Sequence, residues 1–201
     1  MVFIKRYLNE ILLSLGLLGA YLFTRLYNIM SLPLFTDEAI YTRWSQIARY
    51  DANWRFISLT DGKQPSFVWA DMIMMRFIND PLLAGRLVSV LAGMVGLVGI
   101  YFLASEIFKK RRIGYITAII YIIYPFSLVY DRMALYESLV SAATIWVLYL
   151  EVLLIRLRRL DVALILGMVM GAGVLTKSSA FFAAYLLPLS LLLFDFKQKK
   201  W

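Results

Sequence analysis

Apolar residues run along this chain in blocks far longer than a soluble core helix needs, and short charged clusters separate the blocks. A helix that crosses a bilayer takes about 20 mostly apolar residues. Six stretches approach that length: 8–29, 82–107, 113–130, 134–155, 162–176 and 179–194. The last two are short and read together as a helical hairpin that tilts little or thins the bilayer. A shallow re-entrant pair is the alternative. The pattern predicts an all-α, polytopic membrane helix bundle, a single transmembrane domain over 1–201. One long loop, 30–81, interrupts it.

That loop has a helical pattern of its own. Thr36 or Asp37 can cap a helix running to about Tyr50. Ile40, Trp44, Ile47 and Ala48 fall on one face, with Arg43, Gln46 and Arg49 elsewhere, so the helix is expected to lie in the membrane interface. Asp61-Gly62 marks a turn, and Pro65 suits the first position of a second helix over 66–78. At ~1.5 Å per residue this helix is too short to cross. Trp69 with Met72, Met74 and Met75 predicts a segment dipping into the outer leaflet and offering an adaptable surface to a lipid chain. The loop therefore supplies two juxtamembrane interfacial helices.

Composition strengthens the membrane reading. Hydrophobic residues make up 62% and charged residues 17% of the chain, against roughly 45–50% and 25% in soluble domains. The net charge of +8 invites a nucleic-acid partner, but the cations fall between apolar blocks. Lys5 and Arg6 precede the first span. Lys109, Lys110, Arg111 and Arg112 follow the second, Arg156, Arg158 and Arg159 the fourth, and Lys197, Lys199 and Lys200 the sixth. These clusters alternate strictly with the other loops and hold more than half of the 21 Lys and Arg residues. The positive-inside rule puts them, and both termini, in the cytoplasm. No nucleic-acid partner is expected. The first block reads as an uncleaved signal anchor, because it is long, contains Arg25 and lacks a small-residue cleavage site. Arg25 reads as a structural side chain that snorkels to the interface.

There is no cysteine and no histidine, which removes thiol chemistry and the commonest general base and metal ligand. Carboxylates, lysine and tyrosine remain. On the non-cytoplasmic side Asp37, Glu38, Lys63, Arg86, Asp131, Arg132, Glu137 and Lys177 lie near membrane level, where ionisable residues are functional candidates by default. Each also has a plain structural reading. Asp37 serves as a helix cap, Glu38 as a first-turn charge and Lys63 as a turn residue or headgroup anchor. Arg86 and Lys177 serve as snorkelling anchors, and Arg132 and Glu137 as the ends of two spans. The spans read as charge-free at mid-depth, which counts against a lipid or ion transporter.

The order of these residues resembles a known family. Asp37-Glu38 opens a juxtamembrane helix after the first span. Then come Lys63-Gln64-Pro65-Ser66-Phe67-Val68-Trp69, Gly85-Arg86-Leu87-Val88-Ser89, Tyr124-Pro125, Arg132-Met133-Ala134-Leu135-Tyr136-Glu137 and Leu175-Thr176-Lys177. This resembles the N-terminal half of the GT-C superfamily of membrane glycosyltransferases, and within it the protein O-mannosyltransferases and the lipid A aminoarabinose transferases. The family's Lys-Pro-Pro pattern stands here as Lys63-Gln64-Pro65, and an acidic residue often seen as Asp is Glu137. Family enzymes have about twice as many spans, so the chain is expected to be a fragment or a subunit with half of the site.

The resemblance implies a sugar donor linked to polyprenyl phosphate, membrane lipids as surroundings, and a site on the outer face of a prokaryote's cell membrane. The acceptor is left open among protein, lipid and glycan. Transfer passes through an oxocarbenium-like state, and cations stabilise the leaving phosphate. By resemblance Lys63 takes the phosphate side. Arg86, Arg132 and Lys177 are further cationic candidates, and Glu38 and Glu137 substrate-binding ones. Asp37 is the catalytic carboxylate that orients or deprotonates the acceptor. Two adjacent carboxylates are too few ligands to predict a divalent cation, so no cofactor is expected. A non-catalytic membrane subunit or half-enzyme that needs a partner is the alternative function.

Overall fold

The computed structural model describes residues 2–190, and every regular element among them is helical. Helix α1 covers Val2–Leu26, α2 Thr36–Tyr50, α3 Ser66–Met74, α4 Pro81–Phe108 and α5 Arg111–Ile123. Then come α6 Pro125–Tyr130, α7 Glu137–Leu157, α8 Leu160–Thr176 and α9 Phe182–Ser190. Among the described residues three segments are long and apolar enough to cross a membrane: Glu10–Ser31, Pro81–Phe108 and Glu137–Leu157. The chain is an all-α membrane helix bundle.

Helices α4 and α7 form the centre, with α5 on one side and α8 on the other. Gly93 of α4 leaves room for Tyr21 and Asp131, Gly96 for Tyr121 and Ala142, and Gly99 for side chains of α7. Small residues let membrane helices approach closely, since no hydrophobic force drives them together in lipid. A Cβ at Gly99 would run into Ile145 and Trp146 of α7. Trp146 instead donates its indole N–H to the Val95 carbonyl at 3.0 Å. At one end of the bundle Arg111 pairs with Glu10 at 2.6 Å, and Glu106 accepts from Lys109 at 2.6 Å and from Arg156. The segment between α1 and α4 packs at the other end.

The predicted span 113–130 is broken in two. Pro125 has no N–H, and it holds Tyr124 in an extended conformation (φ −65°, ψ 123°). The freed carbonyls need partners where no water competes. Arg25 supplies them, donating to Ile122 at 2.6 Å and to Tyr121 at 3.4 Å. Arg25 is therefore fully buried and does not snorkel. Its charge faces Asp131 at 3.5 Å. Asp131 also accepts from the Tyr21 hydroxyl at 3.2 Å and from Ser138 at 2.8 Å.

Other expectations shift by smaller amounts. The fourth helix starts at Glu137, not 134, because residues 131–136 form turns. Residues 191–194 of the predicted sixth span, with Lys197, Lys199 and Lys200, lie outside the described residues. Glu151 is buried in α7 with one carboxylate oxygen unpaired among the described residues. The central helices are thus not wholly free of charge.

In the loop, the buried face of α2 is rotated from the expected one: Ala48 is shared by both, Trp44 and Ile47 are half-buried, and Arg43 and Arg49 stay exposed. Glu38, Tyr41, Thr42, Ser45 and Ala48 are buried, while Ile40 is 39% exposed. Its neighbours α3 and α4 offer an arginine and aromatic rings, which suit a polar and aromatic stripe. Thr42 and Ser45 satisfy their hydroxyls on the carbonyls one turn back, at 2.5 and 2.9 Å. Phe35, not Thr36 or Asp37, is the N-cap, because Glu38 reaches back to the Phe35 N–H at 3.1 Å. Helix α3 ends at Met74, and Pro65 caps it from just outside. Met75 is 2% exposed, so it belongs to the core and not to a lipid-facing surface.

Candidate functional site

The sequence-predicted charges do not share one rim. They divide into a buried clasp and an open pocket. The clasp is Glu38 with Arg86, both fully buried. Arg86 Nε and Nη2 each donate to a Glu38 oxygen at 2.9 Å, a bidentate pair. The rest of the guanidinium donates to the Ile29 carbonyl at 2.7 Å and the Leu32 carbonyl at 3.2 Å. Glu38 also accepts the Ala134 N–H at 2.7 Å. Burial alone would push the Glu38 carboxyl up. The Arg86 guanidinium and the two amide N–H groups outweigh it and hold the carboxyl below its ordinary value. The clasp joins the α1–α2 connection, α2, α4 and the turn before α7 at one point.

Arg132 lies apart from both. Its guanidinium donates to the carbonyls of Tyr27 at 2.8 Å and Asn28 at 3.1 Å. It thereby satisfies acceptors left open where α1 ends.

The pocket has a volume of about 240 Å³ and is lined by Tyr41, Lys63, Gln64, Tyr136, Glu137, Lys177 and neighbouring small residues. Three segments bring these together. The turn before α3 carries Lys63 and is set by Gly62, whose φ of 69° is the left-handed conformation that glycine adopts freely. The start of α7 supplies Glu137, and the end of α8 supplies Lys177. Hydrogen bonds fasten the first segment to the third: Ser66 to Thr176 at 2.7 Å, and Gln64 to Ser178 at 3.3 Å. Lys177 pairs with Glu137 at 2.9 Å, and both side chains are partly exposed. Among the described residues Lys63 forms no ion pair, so its charge is available to a ligand.

Asp37 stands behind this pocket. It accepts the hydroxyl of Tyr41 at 3.4 Å, and Tyr41 is one of the lining residues. Burial, and then the Asp37 charge, push the Tyr41 hydroxyl up to about 12, so it is a neutral donor across the physiological range. The Tyr41 ring meets that of Tyr136 edge-on, with centroids 4.7 Å apart. Sequence reading passed over both tyrosines. Tyr41 was within reach, since it lies four residues after Asp37 on a predicted helix. Tyr136 carried no such signal.

Lys63, Glu137 and Lys177 all fall within residues 63–201, the part of the chain matched by the family model described as dolichyl-phosphate-mannose-protein mannosyltransferase. The match covers more than half of the chain. The chain belongs to that family. It is a mannosyltransferase-like membrane glycosyltransferase of the GT-C type. No curated protein and no solved structure matches it. In this mannosyltransferase-family chain, Asp37 and Glu38 precede the matched region, and the fold brings them to it through Tyr41 and Arg86.

Proposed function

We propose that the chain transfers a sugar from a polyprenyl-phosphate-linked donor to an acceptor at the non-cytoplasmic face of the membrane. The observation that carries this reading is the convergence of Lys63 and Lys177 on one pocket whose wall includes the hydroxyl partner of Asp37. Two cations beside a carboxylate suit a reaction whose leaving group is a phosphate. The acceptor oxygen attacks the anomeric carbon and its proton passes to Asp37. The bond from that carbon to the phosphate oxygen breaks, and the lipid phosphate leaves with the electron pair, held by Lys63 and Lys177. The family description names mannose, a dolichyl phosphate carrier and a protein acceptor, so that combination is the specific form to test first.

In this reading Glu137 and Lys177 bind the donor with Lys63. Glu38, Arg86 and Arg132 are positioning residues that fix the segments carrying the pocket. The basic clusters face the cytoplasm, the helices cross about six times as one transmembrane domain, and a prokaryote's cell membrane is the setting. The test is Asp37→Asn in the intact protein. Transfer from polyprenyl-phosphate-mannose to a serine- and threonine-containing peptide is expected to fall at least about a hundredfold, with membrane insertion and unfolding temperature unchanged. Turnover at the wild-type rate would remove Asp37 from the chemistry.

A further inference from the structure

The end of the bundle opposite the pocket repeats one tight turn twice. Helix α4 ends at Phe108, Lys109 is left-handed with a φ of 54°, Lys110 is extended, and α5 begins at Arg111. Helix α7 ends at Leu157, Arg158 is left-handed with a φ of 50°, Arg159 is extended, and α8 begins at Leu160. Glycine adopts the left-handed conformation freely, whereas a side chain there crowds its own backbone. Helices commonly end on glycine at this position. The chain places a cation there both times. Cations that served only to orient the helices during insertion could stand at any position in these turns. These two hold their place against the backbone's preference.

The two turns lie side by side. Arg156, near the end of α7, donates to the Glu106 carbonyl near the end of α4 at 2.6 Å. Carboxylates neutralise part of the cluster. Glu106 takes Lys109 and Arg156, Glu10 takes Arg111, and Asp161 takes Arg159. Among the described residues Lys110, Arg112 and Arg158 form no ion pair, and all three are exposed. Large apolar side chains stand directly beside them. Phe108 is 57% and Leu160 87% exposed, with Leu157 also open. Charge alone would suit any anion. Cations set against exposed apolar residues at the end of membrane-spanning helices suit an anion that carries acyl chains.

We propose that the α4–α5 and α7–α8 turns together form a binding site for an anionic phospholipid. Lys110, Arg112 and Arg158 take the headgroup phosphate, and Phe108, Leu157 and Leu160 lie against the upper acyl chains. The left-handed cations project charge from the tightest point of each turn, and the bound lipid offsets the backbone strain. The site joins two helical hairpins at the end farthest from the pocket, so a bound lipid stabilises the bundle without entering the sugar-transfer chemistry.

The test measures unfolding temperature of the full chain in phosphatidylcholine nanodiscs with and without phosphatidylglycerol. The natural protein is expected to unfold about 3–6 °C higher with phosphatidylglycerol. The triple variant Lys110→Gln, Arg112→Gln, Arg158→Gln is expected to lose at least about half of that shift, while Lys109, Arg111, Arg156 and Arg159 keep its orientation. The double variant Lys109→Gly, Arg158→Gly is expected to unfold about 2–4 °C above the natural protein in phosphatidylcholine alone, because the strain is relieved, and to gain less from phosphatidylglycerol. Arg43→Gln with Arg76→Gln, exposed cations at the other end, is expected to keep the full shift. Soluble glycerol phosphate added to phosphatidylcholine nanodiscs is expected to give no shift. The proposal is overturned if phosphatidylglycerol does not stabilise the natural protein, or if the triple variant keeps the full shift. It is also overturned if the Arg43 and Arg76 variant loses as much, which is general surface charge, or if glycerol phosphate stabilises equally, which is a free-phosphate site. A glycine variant that is no more stable in phosphatidylcholine overturns it as well, since the cations would then stand against no preference.

Discussion

The molecule contains two carboxylate–cation pairs with the same separation and opposite surroundings. Glu38 and Arg86 are 2.9 Å apart and wholly buried. Glu137 and Lys177 are also 2.9 Å apart but open to a pocket. A buried pair has already lost its water, so its polar atoms must all be satisfied by protein. In the clasp they are, by an amide N–H and by backbone carbonyls. An open pair keeps much of its hydration and can trade partners at little cost. The first arrangement holds segments together. The second is the kind that can bind and release a charged ligand. Distance between the charges does not separate the two roles, whereas burial does.

The comparison is broken most directly by removing one charge from each pair. Glu38→Gln or Arg86→Met is expected to destabilise the protein by about 3–5 kcal/mol, since each leaves a buried charge without its partner. Thermal unfolding followed by tryptophan fluorescence in detergent would read this. A loss below about 1 kcal/mol would place the clasp in the same class as the open pair.

A third carboxylate sharpens the contrast by having no cation at all. Asp71 of α3 is fully buried, and neither of its oxygens has a partner among the described residues. Ser45, the hydroxyl nearest to helping it, donates to the Tyr41 carbonyl instead. Burial pushes the Asp71 carboxyl up to about 7. In the unfolded chain it would ionise near pH 4. Between about pH 4 and 7 the folded state therefore holds the extra proton, and stability falls as pH rises through that window. At most about 4 kcal/mol is at stake, from a shift of about three pH units. Asp71→Asn is expected to flatten this slope, which unfolding temperatures measured from pH 5 to 8 would show. Glu38 acts in the opposite sense. Its folded carboxyl is held low, so its contribution is complete above the ordinary glutamate range and is lost as pH falls below it.

The smaller effects belong to the open pocket. Lys177→Met is expected to change stability by no more than about 1 kcal/mol, as is usual for exposed pairs, while raising the KM for donor. A loss of several kcal/mol would make Lys177 a second clasp. Tyr41→Phe is expected to cost only about 0.5–1 kcal/mol, the worth of one hydrogen bond, because the ring packing is kept. Its effect should appear instead in the transfer rate, through the freed orientation of Asp37.

Particular residues show where sequence reading reached and where it stopped. Helices α2, α4 and α8 lie close to where hydrophobic periodicity and turn residues predict them. Pro125 was visible in the sequence, yet its consequence was missed, because a long apolar run hides a break that the tertiary structure can repair. Arg25 carries out that repair from a helix about a hundred residues away. Arg86 and Lys177 looked alike in sequence as membrane-level cations, and nothing local told one from the other. Arg43 and Arg49 of α2 are exposed, as its pattern suggests, whereas Glu38 is buried because Arg86 and the Ala134 N–H, far away in sequence, supply its partners.

The sequence by itself determined the all-helical membrane character, the long loop with two short helices, and the set of charged residues from which a site could be built. Those follow from the length of apolar blocks and the cost of unpaired backbone groups in lipid, both properties of local stretches. Which charges are consumed by the fold and which face a ligand was decided only by the tertiary structure. Burial depends on what packs over a side chain, and here the packing surfaces come from segments dozens to more than a hundred residues apart.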